Sequence, residues 1–191
     1  MVGLFTTAYF GATCSLGLLK PFSFDELITY NIARLPMATG VWRAWLEAGD
    51  AMPPVVHIAT HLVGSLLGFS HITTRLPAML GFWFMCVSIF VFLNRRVGPA
   101  LAAVGMLLPM TVPLAYSYAY EARGYGMALG LCGAAVVCWD LAEATRWRRA
   151  ALLGLPICLA AAVANPASRR SSSRWNAGPA APRRSVADEP V

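Results

Sequence analysis

The 191-residue chain is 58% hydrophobic and 13% charged, about half the charged share of an average globular domain. Its apolar content excludes disorder for most of its length. Five cysteines (Cys14, Cys86, Cys132, Cys138, Cys158), odd in number, inside apolar stretches and without metal-ligand spacing, exclude a disulfide scaffold. A net charge of +6 raises nucleic-acid binding, but the cations sit beside apolar runs and in a carboxy-terminal tail, a pattern that belongs to membrane orientation. No nucleic-acid partner is expected, and an all-α, polytopic transmembrane bundle remains.

A helix crossing the hydrocarbon needs about 20 mainly apolar residues. In chain order, the windows that qualify are 1–19, 76–93, 97–120, 124–141 and, more marginally, 150–167. The first lacks a basic n-region and a small-residue cleavage site, which argues against a signal peptide. Residues 20–75 form a long outer loop. Within it, Ser23 and the acids Asp25 and Glu26 mark the start of an amphipathic juxtamembrane helix reaching Arg34. Trp42 and Trp45 suit the headgroup layer. The segment Pro54–Leu67, about 14 residues opening Pro-Pro, reads as interfacial or re-entrant. Leaving it out gives about five spans. The clusters Arg95–Arg96 and Arg146, Arg148, Arg149 then share one side with the amino terminus, which is the cytoplasmic side by the positive-inside rule. Asp25, Glu26, Asp50 and Glu121 fall on the other side. The domain therefore covers 1–164. Residues 165–191, rich in Arg, Ser, Pro and Ala, read as a disordered tail; five crossings would put its arginines outside, so either the last span is incomplete or the gene end is shortened or frame-shifted, with a genuine polar tail as the plain alternative.

Two acidic sites flank the spans on the outer face: Asp25-Glu26 and Glu121, the latter in Tyr118-Ala-Tyr-Glu-Ala-Arg-Gly-Tyr125. Ionisable groups at membrane depth usually pair or function. Glu121 and Arg123 are two residues apart and would not share a helix face, so a loop or helix end is expected there. Converging carboxylates suit a general base and a cation ligand, with solvated loop acids as the plain alternative. If a metal binds, Asp25 and Glu121 are its candidate ligands, and a divalent cation is the one cofactor considered. His57 and His61, at i and i+4, can chelate metal, though packing or headgroup contact is the simpler role. Arg75, Arg34 and Arg43 suit a lipid phosphate or ordinary snorkelling.

The order of these elements resembles the amino-terminal part of the GT-C membrane glycosyltransferases. The closest group is the family 39-like set of protein mannosyltransferases, aminoarabinose transferases and rhizobial lipopolysaccharide glycosyltransferases. The residues that carry the resemblance are Phe24-Asp25-Glu26; Asp50-Ala-Met-Pro53-Pro54 before a helix with His61; Arg75-Leu-Pro-Ala; Arg95-Arg96; and Tyr120-Glu121-Ala-Arg123-Gly-Tyr125. It spans roughly residues 4–142. The resemblance implies a multi-pass plasma (inner) membrane enzyme that takes a sugar from a polyprenyl-phosphate donor to an acceptor hydroxyl, with inversion, on the outer face. Asp25 matches the family's first-loop base and Glu121 its second-loop acidic position. Arg123 and Tyr125 match the end of that motif and would steady the donor phosphate or the loop; Glu26, Arg75, His57 and His61 complete the expected substrate-binding set. The partners implied are a lipid-linked sugar and membrane lipid. Relatives are generally far longer, so a truncated copy is expected, with a non-catalytic transporter fragment or assembly partner as the alternative.

Overall fold

The computed structural model describes residues 1–36, 38–48, 54–143 and 148–163. The Asp50–Pro53 element, Arg146 and the expected tail lie outside the described residues. All regular structure among the described residues is helical.

Helix α1 (Val2–Leu19) buries one stripe, Phe5, Tyr9, Thr13 and Gly17, spaced four apart on a single face. Leu4, Leu18 and Leu19 point outward from it. In the first loop follow α2 (Phe24–Ala33), α3 (Ala38–Ala48) and α4 (Pro54–Leu67). Helix α4 has 14 residues, about 21 Å of axis, too short for a crossing. Helix α5 (His71–Val97) is the central element, packed against α1, α4, α6 and α8. Ser70 starts it by accepting from the Thr73 amide at 3.2 Å, and Gly98 ends it at φ 89°, a conformation that favours glycine.

Helices α6 (Pro99–Thr111) and α7 (Pro113–Ser117) replace the continuous crossing expected over 97–120. The break has a local cause. Pro113 has no amide hydrogen to donate to the Pro109 carbonyl four residues back, and its ring clashes with that carbonyl. Val112, immediately before it, is accordingly extended at φ −95°, ψ 105°. Helix α8 (Gly124–Glu143) then runs parallel to α5, and α9 (Arg148–Val163) packs back along α8. Of the five expected crossings, three are, among the described residues, single helices long and apolar enough to traverse a membrane: α1, α5 and α8. They are consistent with an integral membrane protein. Helix α9, with 16 residues, is about 24 Å long.

Tertiary contacts sort the charges to two ends. Arg75 reaches the end of α1 and the start of α2, whereas Arg95 and Arg96 reach Asp140 near the end of α8. Arg75 and Arg95 are separated along α5 by about 30 Å of axis, close to the thickness of a hydrocarbon core. Between the two ends, α1 is pinned by polar contacts: the Trp83 indole N–H donates to Thr6 Oγ1 at 3.0 Å, and the Tyr9 hydroxyl to the Met79 carbonyl at 2.8 Å. Such bonds hold helices together where lipid is as apolar as the side chains it competes with.

Candidate functional site

At the first-loop end, three acids meet three cations, and each pair joins segments distant in sequence. The innermost pair is Glu26 with Arg75, both side chains wholly buried. Glu26 lies in the first turn of α2 and accepts the Ser23 amide through Oε2 at 2.9 Å, closing the start of the helix. Its Oε1 accepts Arg75 Nε at 2.9 Å and the Ala122 amide at 2.7 Å, and its Oε2 also accepts Arg75 Nη2 at 3.0 Å. The remaining Arg75 donors go to main-chain carbonyls: Nη1 to Gly17 and to Lys20 at 3.0 Å, and Nη2 to Pro21 at 3.3 Å. Gly17 O belongs to the last turn of α1, where carbonyls lack helical partners, so Arg75 also closes that helix. Its guanidinium lies 5.0 Å from the Phe22 ring. All five N–H groups of a guanidinium are thereby used. Burial pushes the Glu26 carboxyl upward, but the hydrogen bonds from Arg75, Ser23 and Ala122 outweigh it and hold the group below the ordinary glutamate value.

The outer two pairs are partly solvated. Asp25, next to Glu26 on α2, pairs with Arg123, and its side chain is 52% exposed. Glu121 accepts Lys20 Nζ at 2.6 Å. Residues 118–123 form the turn between α7 and α8, in which the Arg123 amide donates to the Glu121 carbonyl at 2.7 Å. That non-helical turn is how the two side chains can diverge to separate partners. The Tyr125 ring lies 5.6 Å from the Arg123 guanidinium and 4.6 Å from the Tyr118 ring. Lys20 lies 5.3 Å from the Tyr120 ring.

Exposed ion pairs contribute roughly 0–1 kcal/mol, whereas breaking a buried pair costs several. This difference divides the site. Lys20 and Arg123, whose side chains are 32% and 28% exposed, can be reached by an incoming anion. Arg75 cannot, and with Glu26 it forms the frame that fixes the first loop against the 118–123 turn.

The expected residues therefore occupy three kinds of place. Asp25, Glu121, Arg123 and Tyr125 gather around one surface; Glu26 and Arg75 lie beneath it, engaged with each other. His57 is buried in α4, and His61 Nδ1–H donates to the Ala33 carbonyl at 2.8 Å. That contact is at the far end of α2, about 12 Å of axis from Asp25. Lys20 belongs to the surface group and was missed by sequence reasoning. The available signal was its place as the sole lysine, directly after the first apolar run.

No group of three or more His, Cys, Asp or Glu side chains with metal-binding geometry occurs among the described residues. Asp25 and Glu121 do not fit a divalent cation as they stand, because each carboxylate already holds a basic partner and no third ligand joins them. Comparison with protein-family models, with curated proteins and with solved structures finds no match.

Proposed function

We propose that this chain is a membrane glycosyltransferase of the GT-C type, or a shortened copy of one. It acts at the extracytoplasmic face of the plasma membrane, with its amino terminus in the cytoplasm. The reading is carried by one observation: Asp25 and Glu121, far apart in sequence, converge at one end of the bundle, each beside a part-exposed cation, Arg123 and Lys20 respectively. The donor is a sugar on a polyprenyl phosphate, whose phosphate rests at the membrane surface. That phosphate draws Lys20 and Arg123 from their acids, and Asp25 is freed to act. The Asp25 carboxylate accepts the proton of the acceptor hydroxyl as its oxygen attacks the anomeric carbon. The bond from that carbon to the phosphate oxygen breaks on the opposite face, and the polyprenyl phosphate leaves with the electron pair. Lys20 and Arg123 offset the charge it gains. Glu121 orients the acceptor. Glu26 and Arg75 act at one remove, by holding both loops.

In membranes carrying the chain, a radiolabelled polyprenyl-phosphate sugar should be transferred to acceptor. Asp25→Asn should lower that transfer by about 10²–10⁴-fold with membrane insertion unchanged. Undiminished transfer by Asp25→Asn would remove the base assignment.

A second reading, a non-catalytic polytopic membrane protein, is favoured by the balance of three acids against three cations, which also suits a purely structural clamp. Lipid-linked sugar binding by the purified chain separates the two readings, since only the enzyme requires it.

A further inference from the structure

The opposite end of the bundle carries a second charge cluster that the proposed reaction does not use. Arg95 and Arg96 lie in the last turn of α5, and both contact Asp140 of α8, at 2.7 and 3.1 Å. The Asp140 side chain is only 9% exposed, so this pair occupies both its oxygens. Glu143 takes a looser contact from Arg96 at 3.4 Å, and the Phe92 ring lies 4.0 Å from the Arg96 guanidinium. Arg95 remains 45% exposed while held by Asp140. Arg148, also exposed, opens α9, which packs along α8. Arg95 and Arg96 face Asp140 and Glu143, of which Asp140 is nearly buried, and Arg148, five residues beyond the end of α8, has no acidic contact among the described residues to offset it. The outward surface is therefore positive.

This corner lies one hydrocarbon thickness from Arg75, at the level where phospholipid phosphates sit. Guanidinium forks match phosphate oxygens in pairs, and the exposed Trp139 beside Asp140 suits the headgroup layer. A zwitterionic lipid brings its own cation to compete for its phosphate, whereas an anionic lipid does not. We infer that this corner binds the headgroup of an anionic phospholipid. Arg95 and Arg148 take the phosphodiester, and Asp140 holds Arg95 in position.

The test uses the full chain in nanodiscs of phosphatidylcholine with or without phosphatidylglycerol. Retained lipid is counted by native mass spectrometry, and thermal melting is followed in parallel. The wild-type chain should retain phosphatidylglycerol preferentially and melt higher in its presence. Near-surface arginines each favour an anionic surface by about fivefold, so Arg95→Gln with Arg148→Gln should reduce the preference by roughly twenty-five-fold. Gly11→Ala, within α1 and in open space, should leave it intact. Equal retention of both lipids by the wild-type chain overturns the site, and that arm decides the matter even if the double variant fails to fold. Survival of the preference in a folded double variant also overturns it. If inorganic phosphate in phosphatidylcholine discs raises melting as much as phosphatidylglycerol does, the site is for a free anion and the lipid assignment fails.

Discussion

Arg75→Met should destabilise the folded chain by about 3–5 kcal/mol, which a thermal or denaturant melt in detergent would register. The substitution keeps most of the side-chain volume, so the loss is electrostatic. It leaves the wholly buried Glu26 carboxylate without its cation and the Gly17 and Lys20 carbonyls without their donor. Glu26→Gln should cost less. Arg75 keeps its main-chain acceptors, but glutamine has one acceptor oxygen, so it accepts from either Ser23 or Ala122 and not from both. The two changes should be strongly non-additive in a double-mutant cycle, because they act on one network. A loss below 1 kcal/mol for Arg75→Met would show that this pair does not hold the two loops together.

Acid should reveal the same pair. The folded-state pKa of Glu26 lies below its unfolded value of about 4.3. Its contribution is therefore complete above that unfolded value and is lost as pH falls through the folded one. The wild-type chain should lose stability on moving below about pH 4, and Glu26→Gln should lack that part of the acid limb. Once the carboxyl is protonated, Arg75 is buried without a counter-charge and the Ala122 amide has a weaker acceptor, so the 118–123 turn should loosen along with the first loop.

Features with a local physical cause were legible in the sequence. Ser23 followed by Glu26 marked the start of α2, and the shortness of Pro54–Leu67 ruled it out as a crossing. The i, i+2 spacing of Glu121 and Arg123 demanded a turn. The sorting of Arg95–Arg96 away from Asp25 and Glu121 followed from charge alone. The division of 97–120 into α6 and α7 also had a local signal, Pro109 and Pro113 four residues apart, although a charge-free window conceals it. Long-range pairings left no such mark. Nothing in the sequence near Glu26 shows that its carboxylate meets Arg75, and nothing near Lys20 shows that it meets Glu121. These contacts are set by how α1, α5 and α8 pack. The small residues of α8 permit close helix packing, but nothing in the sequence shows that Gly81 of α5 is the surface they meet.

That meeting makes Gly130→Val the second change with a large expected effect. A Cβ at Gly130 would lie 2.5 Å from the Gly81 carbonyl oxygen and 2.7 Å from its Cα; one at Gly126 would lie 2.5 Å from the Ala78 carbonyl oxygen. The obstacles are main-chain atoms on a neighbouring helix, which cannot turn aside as a side chain can, so α5 and α8 must move apart. Overpacking of this kind costs about 1–3 kcal/mol, and more where backbone must shift. The consequence reaches both ends, because α5 carries Arg75 and Arg95, and α8 carries Asp140 and continues from the turn whose Ala122 amide meets Glu26. Gly130→Val should therefore lower the melting temperature and also flatten the acid limb that Glu26 produces. Gly11→Ala is the counterpart: nothing lies within 4 Å of a Cβ there, and helix propensity favours alanine over glycine by up to about 1 kcal/mol, so that change should be neutral or stabilising. If Gly130→Val melted like wild type, the close approach of α5 and α8 would be disproved, and with it the frame that brings Glu26 against Ala122.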